Sequence, residues 1–134
     1  MKNSKASSYI QMRGKPHKSL NVWKESIELI SKVYKITNNF PRCELYGLSS
    51  QIQRAAISIA SNISEGAARQ TKKEFIKFLY IAQASLSELD TQFEVAKKLR
   101  YISEDLVEDL YSNIQEIDKM LTGLIRSLKN NKLS

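Results

Sequence analysis

Residues 46–78 read YGLSSQIQRAAISIASNISEGAARQTKKEFIKF, and they decide the fold of this chain. Apolar residues recur there every three or four positions, the spacing of one face of an α-helix. They are Leu48, Ile52, Ala55, Ile59 and Ile63. Gly66 is expected to end this helix, and Thr71-x-x-Glu74 is a capping box that begins another. Small residues between the apolar ones favour close packing, so the stretch predicts a helical hairpin.

The same spacing outside this stretch predicts an all-α chain of four helices. We expect them over residues 21–37, 49–65 and 71–99, and from Ser103 onward. Ser103 is a suitable N-cap because two acidic residues follow it in the first turn. Short connections imply antiparallel neighbours, so the predicted fold is an up-down-up-down four-helix bundle.

The chain has 134 residues, enough for one domain with a core of its own. Residues 1–19 contain five basic residues and no acidic one, and we expect a flexible basic arm there before a bundle domain over residues 20–134. A lone cysteine, Cys43, and the absence of a long apolar run favour a cytoplasmic protein without disulfides or membrane spans. The arm is either a solvated tail or leader, or a contact for a polyanion.

The formal net charge is +7, and its placement suggests a polyanionic partner. In the predicted topology the start of the first helix, the turn after Gly66 and the end of the fourth helix share one end of the bundle. The candidate nucleic-acid-binding residues there are Arg13, Lys15, Lys18, Arg69, Lys72, Lys73, Lys77, Arg126 and Lys129. The alternative is an ordinary solvated basic face, because no aromatic platform, helix-turn-helix or zinc-finger spacing is recognisable.

Apolar residues exceed what a four-helix core requires, which indicates a homo-oligomer. The first helix carries two adjacent stripes, one running from Trp23 to Thr37 through Ile27, Ile30 and Tyr34, and a second that includes Val33. The candidate interface residues are Val22, Leu29, Ile36, Ile57, Ile76 and Tyr80. Scattered surface hydrophobic residues are the alternative.

A line of polar residues runs along the second helix and meets the third. Its candidate members are Arg54, Ser58, Asn62, Glu65 and Glu88. They form either a partly buried hydrogen-bond network that sets helix register or a groove in which Arg54 binds an anion. The only histidine, His17, lies in the arm, and no metal-ligand spacing is present. We therefore expect no enzyme activity, cofactor, metal or small-molecule substrate.

Several short motifs occur in an order and spacing typical of one bacterial family. They are Leu20-x-Val22-Trp23, Phe40-Pro41, Tyr46-Gly47-Leu48-x-Ser50-Gln51-Ile52-x-Arg54-Ala55, Ser61-Asn62-Ile63-x-Glu65-Gly66, Arg69 and Glu74-Phe75-x-x-Phe78-Leu79. Over about residues 20–128 the chain resembles the 23S rRNA intervening-sequence proteins, also called four helix bundle proteins. Two positions differ, since the family often has Pro where Ala60 stands and Gly where Ala68 stands. Ala60 should straighten the second helix, and Ala68 should extend it past Gly66.

The resemblance implies an antiparallel four-helix bundle that assembles as a ring-shaped homopentamer. It also implies two roles for such a protein. Some members are encoded within insertions in large-subunit rRNA genes, which fits RNA binding. Relatives are accessory subunits of reverse transcriptases in diversity-generating retroelements, which makes a protein-interaction adaptor the alternative to direct binding of RNA or DNA. The resemblance supplies no catalytic residues.

Overall fold

The computed structural model describes residues 17–130, with side chains from residue 21 onward. Within that range the chain forms four α-helices and one short 3₁₀ turn, and no strand. The helices are α1 (His17–Thr37), α2 (Leu48–Ala67), α3 (Lys72–Lys98) and α4 (Glu104–Asn130), and the 3₁₀ turn is Arg42–Glu44. The expectation of an all-α fold is confirmed.

The four helices form an antiparallel bundle in which α4 returns to pack against α1. Contacts between α3 and α4 show the relative direction. Gln83 Nε2 donates to Asp118 Oδ1 at 3.1 Å, whereas Tyr80, nearly one turn earlier, contacts Lys129. Lower residue numbers in α3 therefore lie opposite higher residue numbers in α4, so the two helices are antiparallel. The C-terminal end of α4 lies beside the N-terminal half of α3.

Helix α2 packs closely on α3 near its C-terminal end, which explains the glycine at position 66. The helix passes Gly66 and continues to Ala67, so the expectation that Gly66 terminates it is wrong. A Cβ on Gly66 would lie 2.9 Å from Phe78 Cβ and 2.9 Å from Phe75 Cδ1. Glycine is needed here because α2 and α3 approach closely. The C-cap of the helix is Ala68, which has a right-handed helical conformation with a φ of −86°. The predicted extension past Gly66 is confirmed.

Helix α1 differs from the sequence-based expectation at its start and on its faces. It begins at His17, four residues earlier than predicted, so residues 17–19 belong to the helix. The stripe proposed for subunit contact faces the core, where Val22 is 0% and Leu29 is 3% exposed. Their assignment to an oligomer interface is therefore wrong, and Ile36 is partly buried against the same core.

The other stripe of α1 is divided, because Ile27 is 39% and Tyr34 42% exposed while Trp23 and Ile30 pack partly buried against the core. Two hydroxyl groups, those of Ser26 and Thr37, also lie on the buried face of α1. Ser26 Oγ donates to Val22 O at 2.8 Å, and Thr37 Oγ1 donates to Val33 O at 3.0 Å. Because these hydroxyls are satisfied within the helix, polar residues can lie on the core face without an unpaired donor.

The rest of the core largely follows the predicted spacing. Large buried side chains from α2, α3 and α4 fill the centre; they include Ile52, Ile59, Ile63, Phe75, Leu79, Leu86, Phe93, Leu110, Ile117 and Leu121. Leu106 shares the apolar spacing of Leu110 and Ile117 but is 43% exposed, and its neighbour Val107 is buried instead. Leu106 lies in the first turn, where its N–H is capped by Ser103 Oγ at 3.3 Å.

Candidate nucleic-acid interface

The end of the bundle that holds the α2–α3 turn carries a group of basic residues, which we call the basic end. Its members in the described chain are Arg69, Lys72, Lys73, Lys77, Arg126 and Lys129. Lys129 Nζ donates to Tyr80 Oη at 2.8 Å, which fixes the end of α4 against α3. Arg13 and Lys15 lie outside the described residues, as does the side chain of Lys18.

The first turn of α3 is positioned by its N-cap. Thr71 adopts an extended conformation, and its hydroxyl oxygen accepts the Glu74 N–H at 3.1 Å. This satisfies one of the donors that a helix start leaves free. The predicted N-cap at Thr71 is confirmed, and Lys72 and Lys73 follow it in the first turn of α3, with Lys77 one turn later.

Arg69 is held in place by structural contacts at the same end. Its guanidinium carbon lies 4.7 Å from the centre of the Phe78 ring, and Nη2 lies 3.3 Å from Glu65 Oε2. Glu65 thus meets Arg69 rather than the polar residues further along α2. Part of the positive charge of Arg69 is offset, so Lys73 and Lys77 carry more of the net charge offered to a partner.

The lysines at the two ends of α3 differ in their surroundings. Lys97 Nζ lies 3.5 Å from Glu104 and 3.9 Å from Glu94. Within the described part of the chain, no carboxylate forms an ion pair with Lys73 or Lys77. Lys97 near the C-terminal end of α3 is therefore paired with carboxylates, whereas Lys73 and Lys77 near its N-terminal end are not.

Two of the predicted polar residues, Ser58 and Asn62, meet Ser85 between α2 and α3. Ser58 Oγ and Ser85 Oγ are 2.9 Å apart, and Asn62 Nδ2 donates to Ser58 Oγ at 3.0 Å and to Ser58 O at 2.8 Å. These bonds fix the register of two closely packed helices, because sliding either helix would leave half-buried donors unpaired. Arg54 and Glu88 are separate from them, as exposed residues that line a shallow groove with Gln51.

Two carboxyl groups with shifted pKa values, those of Glu44 and Asp90, lie away from the basic end. Glu44 Oε1 accepts the Leu48 N–H at 3.0 Å, and Oε2 accepts the Tyr101 hydroxyl at 2.8 Å. These two bonds hold the pKa of Glu44 below its usual 4.5. On α3, partial burial raises the pKa of Asp90, and the nearby charge of Glu94 adds to the effect. Sequence reasoning missed the Glu44 contacts, although a carboxylate four residues before a helix start is a possible cap.

The Glu44 contacts predict a pH-dependent contribution to stability. A carboxyl whose folded pKa is lowered stabilises the fold above its unfolded value, and the contribution is lost as the pH falls through the folded pKa. Tyr101→Phe is therefore expected to lower the melting temperature more at about pH 7 than at about pH 3. Circular dichroism melts at both pH values test this, with Tyr111→Phe as the control. An equal decrease at both pH values would contradict it.

Other site types are not formed by the described residues. Between residues 17 and 130, no group of three or more His, Cys, Asp or Glu side chains could hold a metal ion. None of the helices in that range combines the length and apolar character that a membrane span requires. Cys43 is a free, exposed thiol in the 3₁₀ turn.

Comparisons with known proteins agree with this architecture. The family described as 23S rRNA-intervening sequence protein matches residues 18–123. A crystal structure of a protein of unknown function from the S23 ribosomal protein family of Bacteroides thetaiotaomicron is similar, with 28% identity and a TM-score of 0.73. The match covers 81% of this chain and 98% of that one. No curated protein sequence matches the chain. Neither description names an enzymatic activity.

Proposed function

The chain belongs to the 23S rRNA-intervening sequence protein family, and we propose that it is a non-enzymatic protein that binds nucleic acid through the basic end. The observation that carries the proposal is that Lys73 and Lys77 on the first two turns of α3 form no ion pair among the described residues, and that Lys129 from α4 lies beside them at Tyr80. Clustered lysines displace counterions from phosphates, and this effect supplies most of the affinity in sequence-independent binding. The proposal also includes Arg13, Lys15 and Lys18, whose side chains lie outside the described residues.

The helix dipole supports a role for these lysines beyond stability. Lys72 and Lys73 lie at the N-terminus of α3, where exposed amide groups create a partial positive charge. A lysine there costs about 0.3–1 kcal/mol. A phosphate near this turn would meet both the lysines and the helix terminus, which favours anions. The two lysines are thus placed unfavourably in the free protein, and a bound phosphate would make the same placement favourable.

We also propose that copies of the chain associate, as the resemblance to ring-forming proteins implies. The exposed apolar residues Ile27 and Tyr34 of α1 and Ile57 of α2 supply a surface for this contact. Thr37 Oγ1 accepts from Gln53 Nε2 at 3.0 Å, so Tyr34 lies near the level of Ile57 in the α1–α2 pair. Ile27, Tyr34 and Ile57 take the place of Val22 and Leu29 as proposed interface residues, because the side chains of Val22 and Leu29 are buried in the core.

Ile57→Asp is expected to lower the mass of the assembly measured by light scattering, because a buried, unpaired carboxylate opposes association. Helicity should stay unchanged, since Ile57 is 42% exposed in the single chain. Ile57→Val is the matched control and should keep the mass of the unchanged protein. The same mass for the aspartate variant, or a monomeric unchanged protein, would contradict association through this surface.

Lysine footprinting tests the proposed binding surface directly. Acetylation with and without a short unstructured RNA, read by mass spectrometry, should show protection of Lys73, Lys77 and Lys129. Lys35 and Lys98, which are exposed lysines at the other end of the bundle, should react equally in both samples. Equal protection at both ends would refute the location. Lack of protection by any RNA or DNA would refute direct binding and favour the adaptor role.

A further inference from the structure

The outer side of α3 carries apolar side chains within the basic end. Ile76, Tyr80, Ile81 and Ala84 share this side with Lys73 and Lys77, and together the six residues line an open hollow of about 480 Å³. We call it the α3 hollow. Tyr80 is 47% and Ile81 is 39% exposed, although each lies next to a residue of the core face. The hollow is apolar in its floor and positive at its rim.

Lys129 of α4 adds an ammonium group beside the hydroxyl of Tyr80. Its ammonium nitrogen lies 5.3 Å from the centre of the Tyr80 ring and donates to the hydroxyl oxygen at 2.8 Å. The surface around Tyr80 therefore receives ammonium groups from both α3 and α4. None of the residues that line the hollow is acidic. A molecule that binds in the α3 hollow must therefore have flat or apolar groups to cover the apolar floor and negative charge to match the lysines.

A second copy of the chain fits these requirements poorly. The exposed apolar surface of α1 and α2 has Lys24 one turn before Ile27 and Arg54 one turn before Ile57. Docking that surface on the α3 hollow would bring Lys24 and Arg54 towards Lys73 and Lys77, and the repulsion between like charges opposes such a contact. Duplex nucleic acid brings phosphates, but its bases are stacked inside and cannot cover the apolar floor.

We propose that the α3 hollow binds unpaired nucleotides of a single-stranded nucleic acid, an inference that rests on the proposed function. A base stacks on Tyr80 and its neighbour packs against Ile76 and Ile81, while phosphates meet Lys73, Lys77 and Lys129. Base stacking on aromatic side chains tolerates any sequence, because every base has a π face. From Lys73 to Tyr80 the helix rises about 10 Å, which matches about three stacked nucleotides.

The test compares a single strand with a duplex of the same sequence, using the full chain and fluorescence anisotropy at about 50 mM salt. The single strand should bind more tightly. Tyr80→Ala should weaken single-strand binding about tenfold, within the range for one lost stacked base, and leave duplex binding nearly unchanged. Tyr80→Phe keeps the ring and should retain most of the affinity. Tyr111→Ala removes a similarly exposed tyrosine elsewhere and should have no effect.

A second measurement reports stacking itself. The fluorescence of 2-aminopurine placed in the strand should change on binding to the unchanged protein and to Tyr80→Phe, and should change far less with Tyr80→Ala. Equal loss of single-strand and duplex affinity in Tyr80→Ala would overturn the proposal. A decrease in assembly mass for Tyr80→Ala would assign the hollow to a second copy and also overturn it.

The outcomes separate this proposal from the proposed function. Tight binding that depends on Lys73 and Lys77 but not on Tyr80 would refute only the role of the hollow. Failure of the unchanged protein to bind either form of nucleic acid would refute the proposed function, and with it the occupant assigned here.

Discussion

Leu29→Ala is expected to lower the free energy of unfolding by about 3 kcal/mol, whereas Ile27→Ala should lower it by less than about 1 kcal/mol. Leu29 is 3% exposed inside the bundle, so its removal leaves a cavity that neighbouring side chains fill only in part. Ile27 is 39% exposed and loses little buried surface in the single chain. The two residues are two positions apart on one helix, so helix propensity contributes similarly to both changes.

Urea denaturation followed by circular dichroism measures both values. The protein concentration must be the same for all variants and low enough to disfavour assembly, because Ile27 belongs to the proposed contact surface and association shifts apparent stability. A loss for Ile27→Ala as large as that for Leu29→Ala at low concentration would place the other stripe of α1 in the core. It would then restore Leu29 as a candidate for subunit contact.

The double variant Lys73→Glu/Lys77→Glu is expected to weaken nucleic-acid binding by at least about 100-fold near 50 mM salt. Each change removes a possible phosphate contact and places a repelling carboxylate beside the strand. The dependence of affinity on salt should also become less steep, by about one unit in the log-log slope for each lost contact. Stability should be unaffected or slightly raised, because glutamate is favoured near a helix N-terminus.

A matched control separates location from total charge. Lys35→Glu/Lys98→Glu changes the net charge by the same amount at the other end of the bundle. It should reduce affinity only through the weaker overall field, by less than about tenfold. Similar losses for both double variants would show that attraction is general and would remove the basic end as a defined site.

Local signals explain how much of the fold the sequence predicted. The cap at Thr71 and the spacing from Ile52 to Ile63 are short-range features, so the α2–α3 hairpin followed from them. The faces of α1 did not follow, because its two apolar stripes are similar and only packing decides between them. Gly66 was read as a helix end, since the approach of Phe75 and Phe78 depends on tertiary structure.

The sequence predicted the positive charge of the candidate site, and it did not predict the contacts between its side chains. Up-down-up-down topology alone brings the basic residues of α3 and α4 to one end, and the structure places Lys129 there. The contact of Lys129 with Tyr80 joins residues that are 49 positions apart, and no sequence pattern marks it. For the same reason Tyr80 was read as an interface residue, while its lysine neighbours favour a nucleic-acid role.

The salt dependence of nucleic-acid binding by the unchanged protein tests the central claim most directly. Affinity for a short single strand, measured from about 50 to about 200 mM salt, should fall linearly on a log-log plot with a slope of about −2 or steeper. That slope corresponds to about three neutralised phosphates, one for each of Lys73, Lys77 and Lys129. No binding at the lowest salt, or an affinity that does not change with salt, would contradict the assignment of the basic end as a nucleic-acid interface.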